Sequence, residues 1–315
     1  YQLLSDAQDT ALKATEIYLE VLRAQEILVL SKTNHQVHRK MYQDIKKRSD
    51  SGIGSTADLA QVEGRLARSN TNLLSAQSNL YDKETTFAKI IGAYPENLVT
   101  PKVDANFIAT SMQEALKKAQ ENNPVVHIAN NDVDAAHIQY EQTKGNFYPT
   151  FSFEASQQWG DELNGSPGDV DEFRTMLKMH YNLFNGNSTV AESRRAAYQV
   201  SKSKDVRNRA HRMLEESTRL AWSSMELANN QTQYLEQHVD ASARTVIAYE
   251  KQFKIGKRTL LDVLNTENEL FEARKSYLQA HYNGVLAKYR VLNATGLLLT
   301  EMRVELANNW TNTVK

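Results

Sequence analysis

Residues 18–92 of this chain align with residues 222–296 without a gap, and a duplication of that length constrains the fold more than any other feature of the sequence. At the constant offset of 204, Ala24 meets Ala228, Lys47 meets Lys251, Asp58 meets Asp262, Glu63 meets Glu267, Leu66 meets Leu270, Asn79 meets Asn283 and Gly92 meets Gly296. Shared helical composition does not hold register over such a span, so the two stretches read as copies of one unit. Each copy is a helix, a short turn and a second helix. In the turns, Gly52 and Gly256 suit the left-handed position that closes a helix, and Ser55 and Thr259 suit the N-cap of the next.

The helices that leave these turns carry heptads. Leu59, Leu66, Leu73, Leu80 and Phe87 recur every seven residues with Val62, Ser69 and Ala76 between them; Val263, Leu270 and Tyr277 alternate with Ala273, Ala280, Ala287 and Ala294. A sustained 3.5-residue repeat predicts left-handed supercoiling, with the small residues allowing close approach. Only 12 Gly and 5 Pro in 315 residues agree with long helices and few turns.

Between the copies the period changes. Ala93 to Thr110 is irregular, with Pro95 and Pro101; Ser111 and Glu114 predict a capping box, and Asn123-Pro124 a second helix start running to about Gly145. Phe151 to Trp159 then alternates Phe151, Phe153, Ala155 and Trp159 against Ser152, Glu154, Ser156 and Gln158. Phe173 to Leu183 sets Thr175, Leu177, Met179 and Tyr181 against Arg174, Lys178, His180 and Asn182, with Met176 out of pattern. A polar loop from Gly160 to Asp171 separates these strands. Each is about the 9 to 11 residues that a tilted strand needs to cross a bilayer. A soluble hairpin alternates in the same way, but an isolated one beside very long helices has no sheet to join. Thr189 and Glu192 predict one more capping box, opening a helix to about Lys254 that spans on the order of 100 Å.

Several function classes fall away. The net charge is -1, with Lys and Arg interspersed among Asp and Glu, which gives no electrostatic basis for nucleic-acid binding. The absence of cysteine excludes disulfides and thiolate zinc sites. No stretch approaches the roughly 18 apolar residues of a transmembrane helix, so any membrane crossing must be made by strands. His35 and His38, at i and i+3, could share a metal, but no further ligands accompany them in sequence. No phosphate loop or nucleophile motif occurs. The chain reads as no enzyme, with no cofactor. The repeat also predicts about 90 residues upstream of Tyr1, including another hairpin, to complete the first copy.

Together these features resemble the TolC family of outer-membrane channel-tunnels. The match is carried by Gly52-Ile53-Gly54-Ser55-Thr56-Ala57-Asp58-Leu59 and Gly256-Lys257-Arg258-Thr259-Leu260-Leu261-Asp262-Val263, by Glu121-Asn122-Asn123-Pro124, by Phe147-Tyr148-Pro149-Thr150 before the first strand, and by Tyr181-Asn182-Leu183-Phe184-Asn185-Gly186 after the second. The resemblance implies a mainly α fold with a membrane β-hairpin. Long antiparallel coiled-coil helices would form a trimeric α-barrel continuous with a 12-stranded outer-membrane β-barrel, this chain supplying two strands. The expected segments are 1–92 (first helical hairpin), 93–122 (equatorial linker), 123–149 (helix), 150–185 (membrane hairpin), 186–299 (second long helical hairpin) and 300–315 (tail).

The resemblance further implies a periplasmic aperture at the Gly turns, with Asp58, Arg258, Asp262 and Asn265 at gating positions. Ala57, Phe253 and Asn265 depart there from the family's hydroxyl, tyrosine and aspartate. The plainer alternative is that Asp58 and Asp262 are first-turn acids favoured by the helix dipole. Gly52, Ile53, Gly54, Gly256 and Lys257 fall where family members meet a periplasmic adaptor, and Glu154, Arg174, Lys178 and His180 would line the barrel lumen. The implied partners are two further copies of the chain, an adaptor (membrane fusion protein), an inner-membrane ABC transporter, outer-membrane lipid and a secreted protein. The expected function is the outer-membrane exit duct of type I secretion, for a large adhesin; the alternatives are a multidrug-efflux duct and a soluble coiled-coil scaffold.

Overall fold

A computed structural model describes residues 1–161 and 168–305; most of the predicted loop between the strands and the end of the tail lie outside the described residues. The chain forms two compact units, Tyr1–Pro124 with Met213–Lys315, and Val125–Arg212.

The duplication is visible in the first unit. Helix α1 (Gln2–Asp50) turns into α2 (Thr56–Ile91), and α5 (Ser188–Lys254), whose later part belongs to this unit, turns into α6 (Leu260–Ala294). The first helix of each pair ends at equivalent residues, Asp50 and Lys254, and the second starts at equivalent residues, Thr56 and Leu260. Both turns close alike. Gly52 (φ 73°) and Gly256 (φ 76°) are left-handed. Ile53 N–H donates to Arg48 O at 3.0 Å, and Lys257 N–H donates to Gln252 O at 2.8 Å, the six-residue closure of a Schellman turn. Gly92 and Gly296 repeat the device at the far ends, with φ of 89° and 74°.

The heptads bury as expected. Val62, Ser69 and Ala76 of α2 are buried, and Val263, Leu270, Ala273, Ala280 and Ala287 of α6 are buried. Near the Gly turns, Ile45, Val62, Leu260 and Leu264 pack together. At the other end Leu19, Leu22, Tyr282, Tyr289, Leu292 and Leu298 form the core, with Leu98, Val103, Phe107 and Ile108 of the linker and its short 3₁₀ turn (Ala105–Phe107) laid against them. A wholly buried leucine such as Leu264 or Leu292 contributes about 2–3 kcal/mol by leaving water. A four-residue helix, α7 (Leu298–Glu301), follows Gly296.

Two of the three helix starts differ from expectation. At α3 (Met112–Asn122) Ser111 accepts from Glu114 N–H, but the Glu114 carboxylate reaches past Ser111 to Thr110, accepting from its N–H and its hydroxyl at 2.7 Å each. Helix α4 (Pro124–Gly145) starts at Pro124 as predicted, while the Asn123 side-chain amide donates to Ala294 O at 2.9 Å. The Thr189/Glu192 capping box does not form. Gly186 and Asn187 both take positive φ, 65° and 66°, so α5 begins at Ser188 and Thr189 already lies inside it.

The second unit holds α4, the β-hairpin and the first part of α5. Strands β1 (Thr150–Asp161) and β2 (Asp169–His180) pair antiparallel. The second strand was expected from Phe173 to Leu183. It begins earlier and stops at His180, because pairing with Thr150 exhausts β1, leaving Tyr181, Asn182 and Leu183 outside the ladder.

Candidate functional site

Register settles how the hairpin's side chains are sorted. Phe151 pairs with Met179, Phe153 with Leu177, Ala155 with Thr175 and Gln157 with Phe173, so these share one face. The other face carries Ser152 with Lys178, Glu154 with Met176, Ser156 with Arg174, Gln158 with Glu172 and Thr150 with His180. The four residues assigned to a polar lining, Glu154, Arg174, Lys178 and His180, therefore do share a face, with the apolar Met176 set among them. Lys178 donates diagonally to Glu154, and Arg174 Nη2 donates to Glu172 Oε1 at 2.6 Å. The apolar face is bare: Phe153 is 71% exposed, Leu177 73% and Trp159 72%.

At the Gly turns, Arg258 is held by its own copy. Its Nε donates to Gln252 Oε1 at 3.1 Å, its guanidinium lies 4.2 Å from the Tyr249 ring centroid, and its Nη1 is 4.0 Å from Asp262 Oδ2. Asp262 completes a full capping box: its N–H donates to Thr259 Oγ1 at 3.2 Å, while its Oδ2 accepts from Thr259 N–H and hydroxyl at 3.2 and 2.9 Å. Those hydrogen bonds, from the side chain and then the backbone of Thr259, hold its carboxyl below the usual range, with Arg258 the smallest contributor. Within this chain the first-turn role thus describes Asp262 better than an ion pair does.

Asn265 is exposed and has a partner inside the chain: its Oδ1 accepts from Arg65 Nη2 at 2.8 Å, tying α6 to α2. Sequence gave no signal for that link, nor for Gln252 and Tyr249 as the seat of Arg258. Residues Met41, Asp44, Ile45 and Arg48 of α1, with Glu250, Phe253 and Lys254 of α5 and Leu260 and Val263 of α6, enclose a cleft of about 110 Å³ beside the turns. Arg48 lies over the Phe253 ring, 5.5 Å from its centroid. Ile53 is 85% exposed, and a Cβ added at Gly52 or Gly256 would meet nothing within 4 Å. Gly54 differs, since an added Cβ would sit 2.8 Å from Ser49 N. No group of three metal-binding side chains occurs among the described residues. Among them, too, no helix is long and apolar enough to cross a membrane.

The fold recurs among solved structures. A crystallised membrane protein from Pseudomonas aeruginosa superposes with a TM-score of 0.83 over 93% of this chain and 67% of its own, at 13% identity. Residues 115–297 match the outer membrane efflux protein family, and the chain belongs to that family. Relatives include the outer membrane efflux protein BepC of Brucella suis, 25% identical over 95% of this chain and 66% of its own length. The outer membrane protein TolC of Vibrio cholerae is 23% identical over 94% and 70%. The alkaline protease secretion protein AprF of Pseudomonas aeruginosa is 23% identical over 93% and 63%. The chain spans about two thirds of the length of these relatives. Membership places it among outer-membrane channel proteins, not enzymes, and sets aside the soluble scaffold.

Proposed function

We propose that this chain is the outer-membrane exit duct of a type I secretion system, a passive conduit for a large adhesin driven by an inner-membrane ABC transporter through a periplasmic adaptor. In this reading three copies assemble, their hairpins and those of the first repeat close a 12-stranded barrel, and the long helices continue it into the periplasm. The observation that carries the reading is the two-faced hairpin. Phe151, Phe153, Phe173, Leu177 and Met179 form an apolar face left exposed among the described residues, which suits lipid, while Glu154, Arg174 and Lys178 opposite suit a wet lumen. The Gly turns become the narrow end, where Asp58, Arg258, Asp262 and Asn265 meet neighbouring copies, and where exposed Ile53 and Lys257 with the open Gly52 and Gly256 receive the adaptor.

AprF is named for secretion and supports an export role; BepC is named for efflux and supports the rival, a drug-efflux duct. A deletion strain separates them. Loss of surface adhesin with unchanged drug sensitivity is expected, and the reverse result would overturn the secretion reading in favour of efflux.

A further inference from the structure

His38 is buried on α1 within the first helical hairpin, in the field of Arg65, the residue that ties this hairpin to the second, and nothing in the channel function so far uses it. Its ring is 4% exposed, and its Nδ1 is buried with no hydrogen-bond partner. The charged and titratable groups that act on it are Arg65, from α2, and His35, one turn away on α1; no carboxylate is among them. His35 is occupied, its Nδ1 lying 3.2 Å from Ser69 Oγ. From α6 comes Asn265, which is neutral and accepts from Arg65. A metal cation at the two histidines is disfavoured by the guanidinium beside them.

We propose that His38 is an acid-responsive pin: protonated, it places a second positive charge beside Arg65, loosens the Arg65 link to Asn265 and so frees the first hairpin from the second, opening the narrow end of the duct. Two features of the fold support this. Arg65 bridges the copies just above the Ile45, Val62, Leu260 and Leu264 cluster, so displacing it acts on the packing that leads into the Gly turns. The device also exists in one copy only. The equivalents of His38 and Arg65 are Ser242 and Glu269, which carry no such clash of positive charges.

The direction follows from linkage. Burial, then Arg65 and His35, lower the His38 pKa below its ordinary 6.5. The closed, packed state therefore binds fewer protons than a loosened one, and its advantage is lost as pH falls below 6.5. Each pH unit within the window between the two values shifts the closed-to-open ratio by up to about tenfold. Glu267 works the other way. Burial and Glu250 raise its pKa, so acid neutralises it in the seam between α5 and α6.

The inference rests on the duct reading, and the experiment keeps the two apart. The full-length protein is reconstituted in planar bilayers, and conductance is followed from neutral pH downwards for wild type, His38→Gln and His38→Lys. Conductance should rise severalfold in wild type below about pH 6.5, stay flat in His38→Gln, which leaves Glu267 in place, and be already high at neutral pH in His38→Lys. A wild type that conducts but does not respond to acid, or a His38→Gln that responds equally, overturns the inference and leaves the duct standing. If no variant conducts at any pH, the duct reading falls and the pin with it. Should His38→Lys fail to assemble, the comparison of wild type with His38→Gln still decides.

Discussion

Replacing Gly256 separates backbone strain from partner contact in a single position. Gly256 has φ of 76°, and a Cβ built on it meets nothing within 4 Å. Substitution to Ala therefore costs only the left-handed conformation, about 1–2 kcal/mol. Substitution to Arg carries the same conformational cost, and its Cβ likewise meets no neighbour. Gly296 provides the contrast. Its φ is 74°, but a Cβ there would lie 2.5 Å from Asn122 O and 2.7 Å from Asn122 C, so the Asn122–Asn123 backbone must move. That adds about 1–3 kcal/mol of overpacking to the same conformational cost. Thermal melts followed by circular dichroism at 222 nm, on full-length protein in detergent, should rank Gly296→Ala well below Gly256→Ala and Gly256→Arg, which melt together. Equal losses at Gly256 and Gly296 would refute the geometric reasoning. Adaptor capture then tests the surface: Gly256→Arg should lose the adaptor while Gly256→Ala keeps it, and equal capture by both would remove the turn from the interface.

Arg258→Ala breaks contacts with Gln252, Tyr249 and Asp262 on an exposed side chain, so conductance should rise with little change in melting; unchanged conductance in bilayers would count against any latch there. Leu177→Arg places a charge on the apolar face of the hairpin and should cost about 2–4 kcal/mol if that face meets lipid, read as loss of heat-resistant trimers, whereas Ser156→Arg on the opposite face should be tolerated. Equal trimer yields would argue against a lipid-facing role. Leu264→Ala, wholly buried between the copies, should cost about 2–5 kcal/mol, against under about 0.5 for exposed Leu261→Ala; similar melts would mean that the seam is not packed as described.

Features with a period were legible in the sequence, and features of tertiary placement were not. The turns are set within a few residues by Gly52, Gly256, Ser55 and Thr259, and they lie where the 204-residue offset puts them. The hairpin faces came from alternation alone, since register preserves parity whatever the strand ends are. The ends themselves depend on pairing: β2 stops where β1 has no further partner, which the pattern through Leu183 could not reveal. Thr189 failed as a cap because two left-handed residues in succession started the helix earlier, and Asn187 gives only a weak hint of that. Arg65 reaches Asn265 across 200 residues of sequence, and neither side chain carries a local signal for it.

The same limit bears on the two aspartates, which the repeat makes equivalent and the structure does not. Ser55 Oγ accepts from Ala57 N–H at 3.1 Å, one residue short of Asp58, so the Asp58 carboxylate takes no part in a capping box like that of Asp262. An acid bound into its own cap is poorly available to a neighbouring copy; a half-buried one outside the cap is available. Asp58→Asn should therefore raise conductance without disturbing α2, while Asp262→Asn should loosen the start of α6 and change conductance less. Equal rises in conductance from both would sink this distinction. Because its hydrogen bonds hold the Asp262 carboxyl below its ordinary 3.8, its cap persists above that value and is lost only as pH falls through the lowered one. Any opening in mild acid thus cannot originate at Asp262. It calls for a group that takes up its proton nearer neutrality, the role proposed for buried His38 beside Arg65.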